Sequence, residues 1–180
     1  MSRPAVRRAL HAATTIVALL SLVSPSALRA GTAYLAVTAV VLEIVRLRVP
    51  GVAAIMARMI PVYREPERRR PSGALWLMLG YAVCAWFPSP GAVAGILAAG
   101  LGDPAGAMVG TRYGRGAPKS IPGSAAVAGS TLVMAAVVGA PWTVALVAGV
   151  AAAVVERWSG PLDDNLLVGP VTAAVVSVLA

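Results

Sequence analysis

The chain has 180 residues, of which 58% are hydrophobic and 12% are charged, and its net charge is +8. A soluble domain is typically about 45–50% apolar and about 25% charged, so this composition excludes an ordinary soluble domain and predicts a membrane protein. The positive charges lie between apolar runs, where cytoplasmic loops of membrane proteins explain them without nucleic acid. With one cysteine, Cys84, and one histidine, His11, no internal disulfide, His-based metal site or Ser-His triad is predicted.

Long apolar runs predict an all-α bundle of membrane helices. A helix needs about 20 residues to span a bilayer, with a range of about 17–25. Small residues supply most of the apolar content, and they favour close packing between such helices. We therefore predict a single integral membrane domain over residues 1–180 with seven spans, at 12–28, 32–47, 73–89, 91–109, 124–140, 141–156 and 165–180.

Residues 1–11 are basic and are predicted to form a cytoplasmic leader. The apolar run that follows is expected to remain as an uncleaved span rather than to be removed as a signal peptide. Leu28 and Arg29 precede Ala30, and this is a poor context for cleavage. Arginines ahead of a first span place the N-terminus inside the cell.

The placement of arginine also orients the later segments. With seven spans and a cytoplasmic N-terminus, the cations of residues 46–70 and 112–119 and Arg157 fall inside, and Arg29 falls outside. The cytoplasmic segments are then an interfacial loop over 48–72 with a helix over 51–63, a phosphate and metal loop over 103–124, and an acidic loop over 156–165.

The acidic residues all map to this cytoplasmic side, either to balance nearby arginines or to form a site. Asp103 is the most informative, since an acid inside a span costs about 2.5–3.5 kcal/mol unless it is paired or faces a cavity. One interpretation is an ion pair with Arg112. We favour a ligand for Mg²⁺, which prefers carboxylates and keeps water and phosphate oxygens as its other ligands. The seven acids are Glu43, Glu65, Glu67, Asp103, Glu156, Asp163 and Asp164.

Asp163, Asp164 and Asn165 precede the last predicted span and offer several more oxygen atoms. Residues of these types also begin helices as caps, and the sequence leaves both roles open. Paired with Asp103 across the bundle, they make a plausible metal site.

A glycine-rich basic segment follows Asp103. It is not a Walker A loop, because Pro118 stands where that motif has a glycine before the lysine. Glycines nevertheless let backbone N–H groups approach phosphate oxygens, and Arg112, Arg115 and Lys119 supply positive charge. We predict a polyphosphate site here, and a cytoplasmic loop without a ligand is the alternative.

Two further glutamates lie near arginines. Glu67 is expected either to orient an arginine or accept a proton, or to lie in a solvated loop. Glu43 and Arg46 are three residues apart at the end of the second predicted span, and they are expected to form a structural ion pair.

Three blocks of residues resemble, in the same order, those of the CTP-dependent lipid kinases. This family includes dolichol kinase, phytol kinase and the CTP-dependent diacylglycerol kinase, and it is related to the phosphatidate cytidylyltransferases. The first block is Arg64 and Glu67 with Ser72-Gly73-Ala74 and Leu79-Gly80. The central block is Gly102-Asp103-Pro104-Ala105 with Gly110, Gly114, Lys119-Ser120 and Gly123-Ser124. The terminal block is Glu156 with Asp163-Asp164-Asn165.

This resemblance implies transfer of a phosphoryl group from CTP, the co-substrate, to the hydroxyl of a membrane lipid alcohol, with Mg²⁺ as cofactor. It implies a compact prokaryotic enzyme of the plasma membrane whose active site faces the cytoplasm. The catalytic residues would be Asp103, Glu67 and Lys119. The metal ligands would be Asp103, Asp163, Asp164 and Asn165. The nucleotide and phosphate contacts would be Arg64, Gly102, Gly110, Arg112, Gly114, Arg115, Lys119, Ser120, Gly123 and Ser124.

Two other functions fit the same residues. A cytidylyltransferase would use the same metal and nucleotide to make a CDP-lipid, although its lysine-rich terminal signature is missing from residues 156–165. A small transporter would use Asp103 as an ion relay, but acids gathered on one face argue against transport. The lipid alcohol stays open among polyprenol, a phytol-like alcohol and diacylglycerol, and so does the oligomeric state, with a homodimer as one arrangement.

Overall fold

In a computed structural model, the chain is described over residues 3–49, 51–59, 67, 70–115, 117 and 119–180. Within these ranges every regular element is helical, which confirms the all-α prediction. A 3₁₀ segment, Thr15–Leu22, continues the first helix, and a π-helical segment, Ala98–Gly102, joins α5 to α6. The α-helices are α1 Arg3–Thr14, α2 Pro25–Arg48, α3 Val52–Met59, α4 Gly73–Cys84, α5 Gly91–Leu97, α6 Asp103–Tyr113, α7 Ile121–Val137, α8 Trp142–Trp158 and α9 Asp164–Leu179.

Three helical stretches of the described chain are long and apolar enough to cross a membrane: Ala5–Leu22, Pro25–Arg48 and Gly91–Tyr113. These stretches support a membrane protein. Helices α4, α7 and α9 are apolar but shorter. Each of the seven predicted spans overlaps a helix, and whether the shorter helices also cross the membrane stays a prediction.

The boundaries of several predicted segments need correction. The leader over 1–11 is helical from Arg3, and the apolar stretch begins at Ala5 rather than at residue 12. Most of the loop over 103–124 is helical too, because α6 continues to Tyr113. The acidic loop over 156–165 is shorter than predicted, since α8 ends only at Trp158. Part of the predicted segment 51–63 is helical, as α3, and residues 60–63 lie outside the described ranges; its position at the membrane interface stays a prediction.

Side-chain caps determine where four of the helices begin. Ser24, Ser72 and Ser120 accept a hydrogen bond from the backbone N–H three residues later, as N-caps of α2, α4 and α7. Asp163 caps α9 by accepting a hydrogen bond from the N–H of Asn165, two residues later. These caps satisfy donors that have no partner within the helix, so the short polar residues mark the helix starts.

Helices α6 and α7 approach each other through glycines. Gly102, Gly106, Gly110 and Gly114 recur every four residues and therefore lie on one face. A Cβ atom at Gly106 would lie 2.6 Å from Val127 Cγ2, and one at Gly110 would lie 3.2 Å from Ser120 Oγ. Small residues of this kind let helix backbones pack closely in a membrane bundle. The same contact positions α6 beside the start of α7.

The end of α2 is joined to the start of α4 by a buried ion pair. Arg46 Nη2 lies 2.5 Å from Glu43 Oε1, as expected for a pair three residues apart. Glu43 also accepts a hydrogen bond from the Ser72 N–H, and Arg46 donates to the carbonyl of Glu67 at 2.8 Å. The pair therefore holds the segment that leads into α4.

Gly80→Ala is expected to destabilise the bundle. A Cβ at Gly80 would lie 2.8 Å from the Asn165 carbonyl oxygen and 3.2 Å from that of Leu166, so α4 would push the first turn of α9 away. Overpacking of this kind costs about 1–3 kcal/mol. Thermal unfolding in detergent measures the loss.

Gly129→Ala is the control for that substitution. Nothing lies within 4 Å of a Cβ at this position in α7, and alanine is the better helix former by about 1 kcal/mol. We expect an unchanged or raised melting temperature. Equal destabilisation by both variants would contradict the close packing of α4 on α9.

Candidate functional site

A cavity at one end of the bundle brings together four charged side chains from distant parts of the chain. Asp103 begins α6, Lys119 lies in the segment before α7, Glu156 is near the end of α8, and Asp164 begins α9. The volume is about 490 Å³, and the wall also includes Gly106, Gly110 and Gly123, among others. We call this space the charged cavity.

A π-helical segment places Asp103 in that cavity. Residues Ala98–Gly102 form this segment, and Pro104 stands in the first turn of the α-helix that follows. Proline suits a first turn because its missing N–H would have no partner there. Single-turn π segments often occur at functional sites, where the extra residue changes the direction of the side chains that follow. The Asp103 side chain remains 32% exposed.

Lys119 connects the ends of three elements. Its Nζ lies 3.0 Å from Asp164 Oδ2, donates to the backbone carbonyl of Glu156, and reaches Ser159 Oγ at 3.5 Å. A lysine near the C-terminus of α8 also suits the negative end of the helix dipole. An ammonium group has three N–H donors, so a phosphate would have to replace one of these partners.

Glu156 is held against the start of α7. Its Oε2 accepts a hydrogen bond of 2.9 Å from Ser124 Oγ, which links α8 to α7. Ser124 was predicted to contact phosphate, and its hydroxyl in the structure binds a carboxylate. Ser120 is buried and serves as the cap of α7.

The adjacent acids Asp163 and Asp164 face different cavities. Asp163 is the N-cap of α9 and has an extended backbone, whereas Asp164 is the first helical residue, so their side chains leave the chain in different directions. Asp164 lines the charged cavity, whereas Asp163 lines a second cavity of about 390 Å³ together with Glu67 and Trp76. Asp163 Oδ1 accepts from the backbone N–H of Asn165 at 3.0 Å, so it serves as a helix cap. The structure thus separates Asp163 from Asp103 and Asp164, the other two acids of the predicted metal set.

Asn165 lies behind Asp103 and Asp164 in a narrow recess that Glu156 also lines. It is 5% exposed, and among the described residues its Oδ1 has no hydrogen-bond partner. Its Nδ2 donates to Asp163 Oδ1 at 2.6 Å, which is consistent with this orientation of the amide. A buried oxygen beside two carboxylates is a suitable environment for a hard cation.

Glu67 belongs to a different part of the structure. Its Oε1 lies 3.1 Å from Arg7 Nη1 and accepts from the N–H of Gly73 at 3.2 Å. It lines the second cavity rather than the charged one. Arg64, the other predicted residue of this block, lies outside the described ranges.

The three described cations that were predicted to bind phosphate do not all lie at the charged cavity. Arg112 and Arg115 are exposed and do not line the charged cavity, whereas Lys119 does. Arg112 lies over the ring of Tyr113, 5.6 Å from its centroid. Arg115 adopts a left-handed backbone conformation with φ of 49°, which turns the chain after α6.

Most of the glycines predicted to bind phosphate have packing roles in the structure. A Cβ at Gly114 would lie 2.6 Å from Ser120 Cβ, and one at Gly123 would lie 3.1 Å from the Gly106 carbonyl oxygen. A Cβ at Gly102 would make only ordinary contacts with α7, the nearest at 3.6 Å from Thr131 Oγ1. Of this set, Gly110 and Gly123 also border the charged cavity.

His11 contacts Asp103 at the site, although no role was predicted for it from the sequence. It is 5% exposed, and its Nδ1 lies 3.6 Å from Asp103 Oδ2. One signal was present in the sequence. His11 follows Arg7 by four residues, so both share the face of α1 that packs against the bundle.

No group of three or more His, Cys, Asp or Glu side chains in the described part of the chain is arranged to hold a metal ion directly. Mg²⁺ does not require such a group, because it is usually bound by one or two carboxylates with water and phosphate as further ligands. The donors around the charged cavity fit that pattern.

Comparison with protein-family models, with curated proteins and with solved structures found no match.

Proposed function

We propose that this protein is a membrane-embedded kinase that transfers a phosphoryl group from CTP to the hydroxyl of a lipid alcohol. One observation carries the proposal: the charged cavity gathers three carboxylates and a lysine at one end of a bundle that contains membrane-length helices. A polyphosphate with its cation needs both signs of charge, and a lipid acceptor needs the membrane. The choice of CTP rests on the three blocks that resemble the CTP-dependent lipid kinases.

The proposed topology has seven spans with a cytoplasmic N-terminus in the plasma membrane of a prokaryote, so that the charged cavity opens where nucleotide is available. Helix α8 supports a span despite its 17 residues. Trp142 and Trp158 stand at its two ends and are 64% and 68% exposed. Tryptophan is enriched at both membrane interfaces. At 1.5 Å per residue the helix is about 25 Å long, which suits a slightly thin bilayer.

Mg²⁺ would be held by Asp103, Asp164 and the Oδ1 atom of Asn165, and it would neutralise charge on the phosphates. The residues of the chain supply positioning and electrostatics, which provide most of the catalysis in phosphoryl transfer. Lys119 would place a positive charge beside the phosphates. Glycines at the cavity wall leave space for a phosphate group, since no side chain projects from Gly110 or Gly123.

In the proposed reaction, the hydroxyl oxygen of the lipid forms a bond to the terminal phosphorus of CTP. The bond from that phosphorus to the bridging oxygen breaks, and CDP leaves with the electron pair. The proton of the alcohol passes to a carboxylate of the charged cavity. Glu67, the predicted proton acceptor, lines the neighbouring cavity, so Asp103, Glu156 and Asp164 are closer to the proposed position of the phosphates.

The purified protein, incubated with labelled CTP and a panel of polyprenol, phytol-like alcohol and diacylglycerol, tests the proposal. A kinase makes a phospholipid and releases CDP, and ATP in a parallel reaction tests the nucleotide. Release of pyrophosphate with a lipid phosphate as acceptor would instead identify a cytidylyltransferase. Turnover of neither kind on any of these acceptors would contradict the proposal.

Lys119→Gln is expected to weaken nucleotide binding by roughly 10–100-fold, since a hydrogen bond to a charged group contributes about 1.5–3 kcal/mol. Arg115→Gln is the matched control, because it removes a neighbouring positive charge that does not line the cavity. Calorimetric titration with CTP measures both affinities. Equal affinities for the wild-type and Lys119→Gln proteins would restrict Lys119 to the structural contacts with α8 and α9.

A further inference from the structure

We propose that His11 is a positioning residue for Asp103 and that the N-terminal helix α1 acts on the active site through this contact. The inference rests on the proposed function, because it concerns how the chain orients a carboxylate toward a cation. It gives the N-terminal segment a function beyond insertion into the membrane.

The contact itself is direct. His11 Nδ1 lies 3.6 Å from Asp103 Oδ2, and the histidine is buried while the aspartate remains 32% exposed to the cavity. Burying a polar ring is unfavourable unless it is paired, so this placement of an imidazole needs a compensating interaction. The Asp103 carboxylate lies within ion-pair range of the ring at 3.6 Å, a separation longer than a hydrogen bond.

The remainder of α1 holds the histidine in place. One turn before His11, Arg7 pairs with Glu67 at 3.1 Å. One turn after it, Thr14 Oγ1 lies 3.1 Å from the Tyr81 hydroxyl and donates to the His11 carbonyl. Three successive turns of α1 therefore make polar contacts with the bundle along one face.

The π-helical segment packs against this face of α1. A Cβ at Gly100 would lie 3.3 Å from the His11 carbonyl oxygen, so the absence of a side chain there lets α1 approach closely. Gly100 lies three residues before Asp103. Helix α1 and the turn that directs Asp103 are consequently in contact, and a shift of one would move the other.

A carboxylate has two oxygens and about four lone-pair positions, so the contact of Oδ2 with His11 leaves capacity for a cation. An imidazole that holds one oxygen also limits rotation of the carboxylate. Partners of this kind orient metal ligands, and their loss typically costs about 10–100-fold in metal affinity or activity. His11 would in this way lower the entropic cost of cation binding by Asp103.

The test compares His11→Leu with His11→Gln. Both side chains fill the buried space, but only glutamine keeps an N–H donor. We expect His11→Leu to weaken Mn²⁺ binding by roughly 10–100-fold and His11→Gln to restore most of it. Mn²⁺ binding is followed by electron paramagnetic resonance in the purified full-length protein with CTP, without a lipid acceptor, so the signal does not depend on turnover. His11→Met replaces His11→Leu if the leucine protein does not survive purification.

Asp103→Asn and Arg8→Ala complete the set. Arg8 is on α1 and does not line the charged cavity, so its removal controls for a change in the charge of the helix. If Asp103→Asn loses Mn²⁺ while His11→Leu binds as the wild-type does, the positioning role is wrong and the proposed function stands. If wild-type and Asp103→Asn proteins bind Mn²⁺ equally, the cation site of the proposed function is wrong, and the role of His11 falls with it.

Discussion

Asp103→Asn is expected to lower phosphoryl transfer by at least ~100-fold, the scale for removing a preorganised electrostatic group from an active site. The substitution keeps the size of the side chain and removes its charge. Asp103 borders both the charged cavity and the recess that contains Asn165, as Glu156 and Asp164 also do, so its charge is well placed to hold a cation. Initial rates of CDP release at saturating CTP and lipid measure the effect.

Asp163→Asn is the matched comparison. It makes the same chemical change in an acid that faces the second cavity, and asparagine is as good a helix cap as aspartate. We expect a smaller loss of activity than with Asp103→Asn. Thermal unfolding and gel filtration in detergent establish that both proteins are folded. Full turnover by a folded Asp103→Asn protein would contradict the assignment of Asp103 as a metal ligand.

Arg46→Met is expected to destabilise the protein by about 3–5 kcal/mol, the cost of removing one partner of a buried ion pair. Arg46 and Glu43 are 3% and 6% exposed. Without the guanidinium, the buried Glu43 side chain loses its ion-pair partner, and the carbonyls of Glu67 and Arg70 lose a donor. The midpoint of thermal unfolding in detergent reports the loss.

Arg48→Met controls for the loss of a positive charge at the end of α2. Arg48 is exposed, and exposed ion pairs contribute about 0–1 kcal/mol at most, so a small effect is expected. Glu43→Gln adds a second comparison, since its amide oxygen can still accept from the Ser72 N–H. Equal melting temperatures for the Arg46→Met and Arg48→Met proteins would show that the buried pair contributes little to stability.

Features that depend on neighbours a few residues away could be predicted from the sequence. The ion pair between Glu43 and Arg46 follows from a spacing of three residues on a helix. The apolar runs overlap the observed helices. Burial of a helix determines the spacing and the length of its apolar residues, and this pattern is visible within each segment of the sequence. The ends were less accurate, as at Tyr113, where α6 continues into a segment predicted to be a loop. A glycine-rich stretch does not show by itself whether it forms a loop or a packing face.

The contacts of the predicted site could not be obtained in this way. Asp163 and Asp164 are adjacent in sequence but face different cavities, since the start of α9 sends them in different directions. Gly106, Gly110 and Gly123 pack α6 against α7, a role that only the position of the partner helix reveals. Lys119 binds Asp164 and the carbonyl of Glu156 near the end of α8. Neither the residues next to Lys119 in the sequence nor the phosphate hypothesis indicated these contacts.

The sequence by itself determined the class of this protein, an all-helical chain with membrane-length apolar helices. Composition and periodicity are local properties, so they can be analysed without knowledge of how the helices pack. Only the tertiary structure decided that Asp103, Glu156, Asp164 and Lys119 share one cavity, and that His11 reaches Asp103 from the first helix. Such neighbours are set by the rotation and approach of helices far apart in the chain. Those quantities depend on all the packed side chains together, so no single segment encodes them.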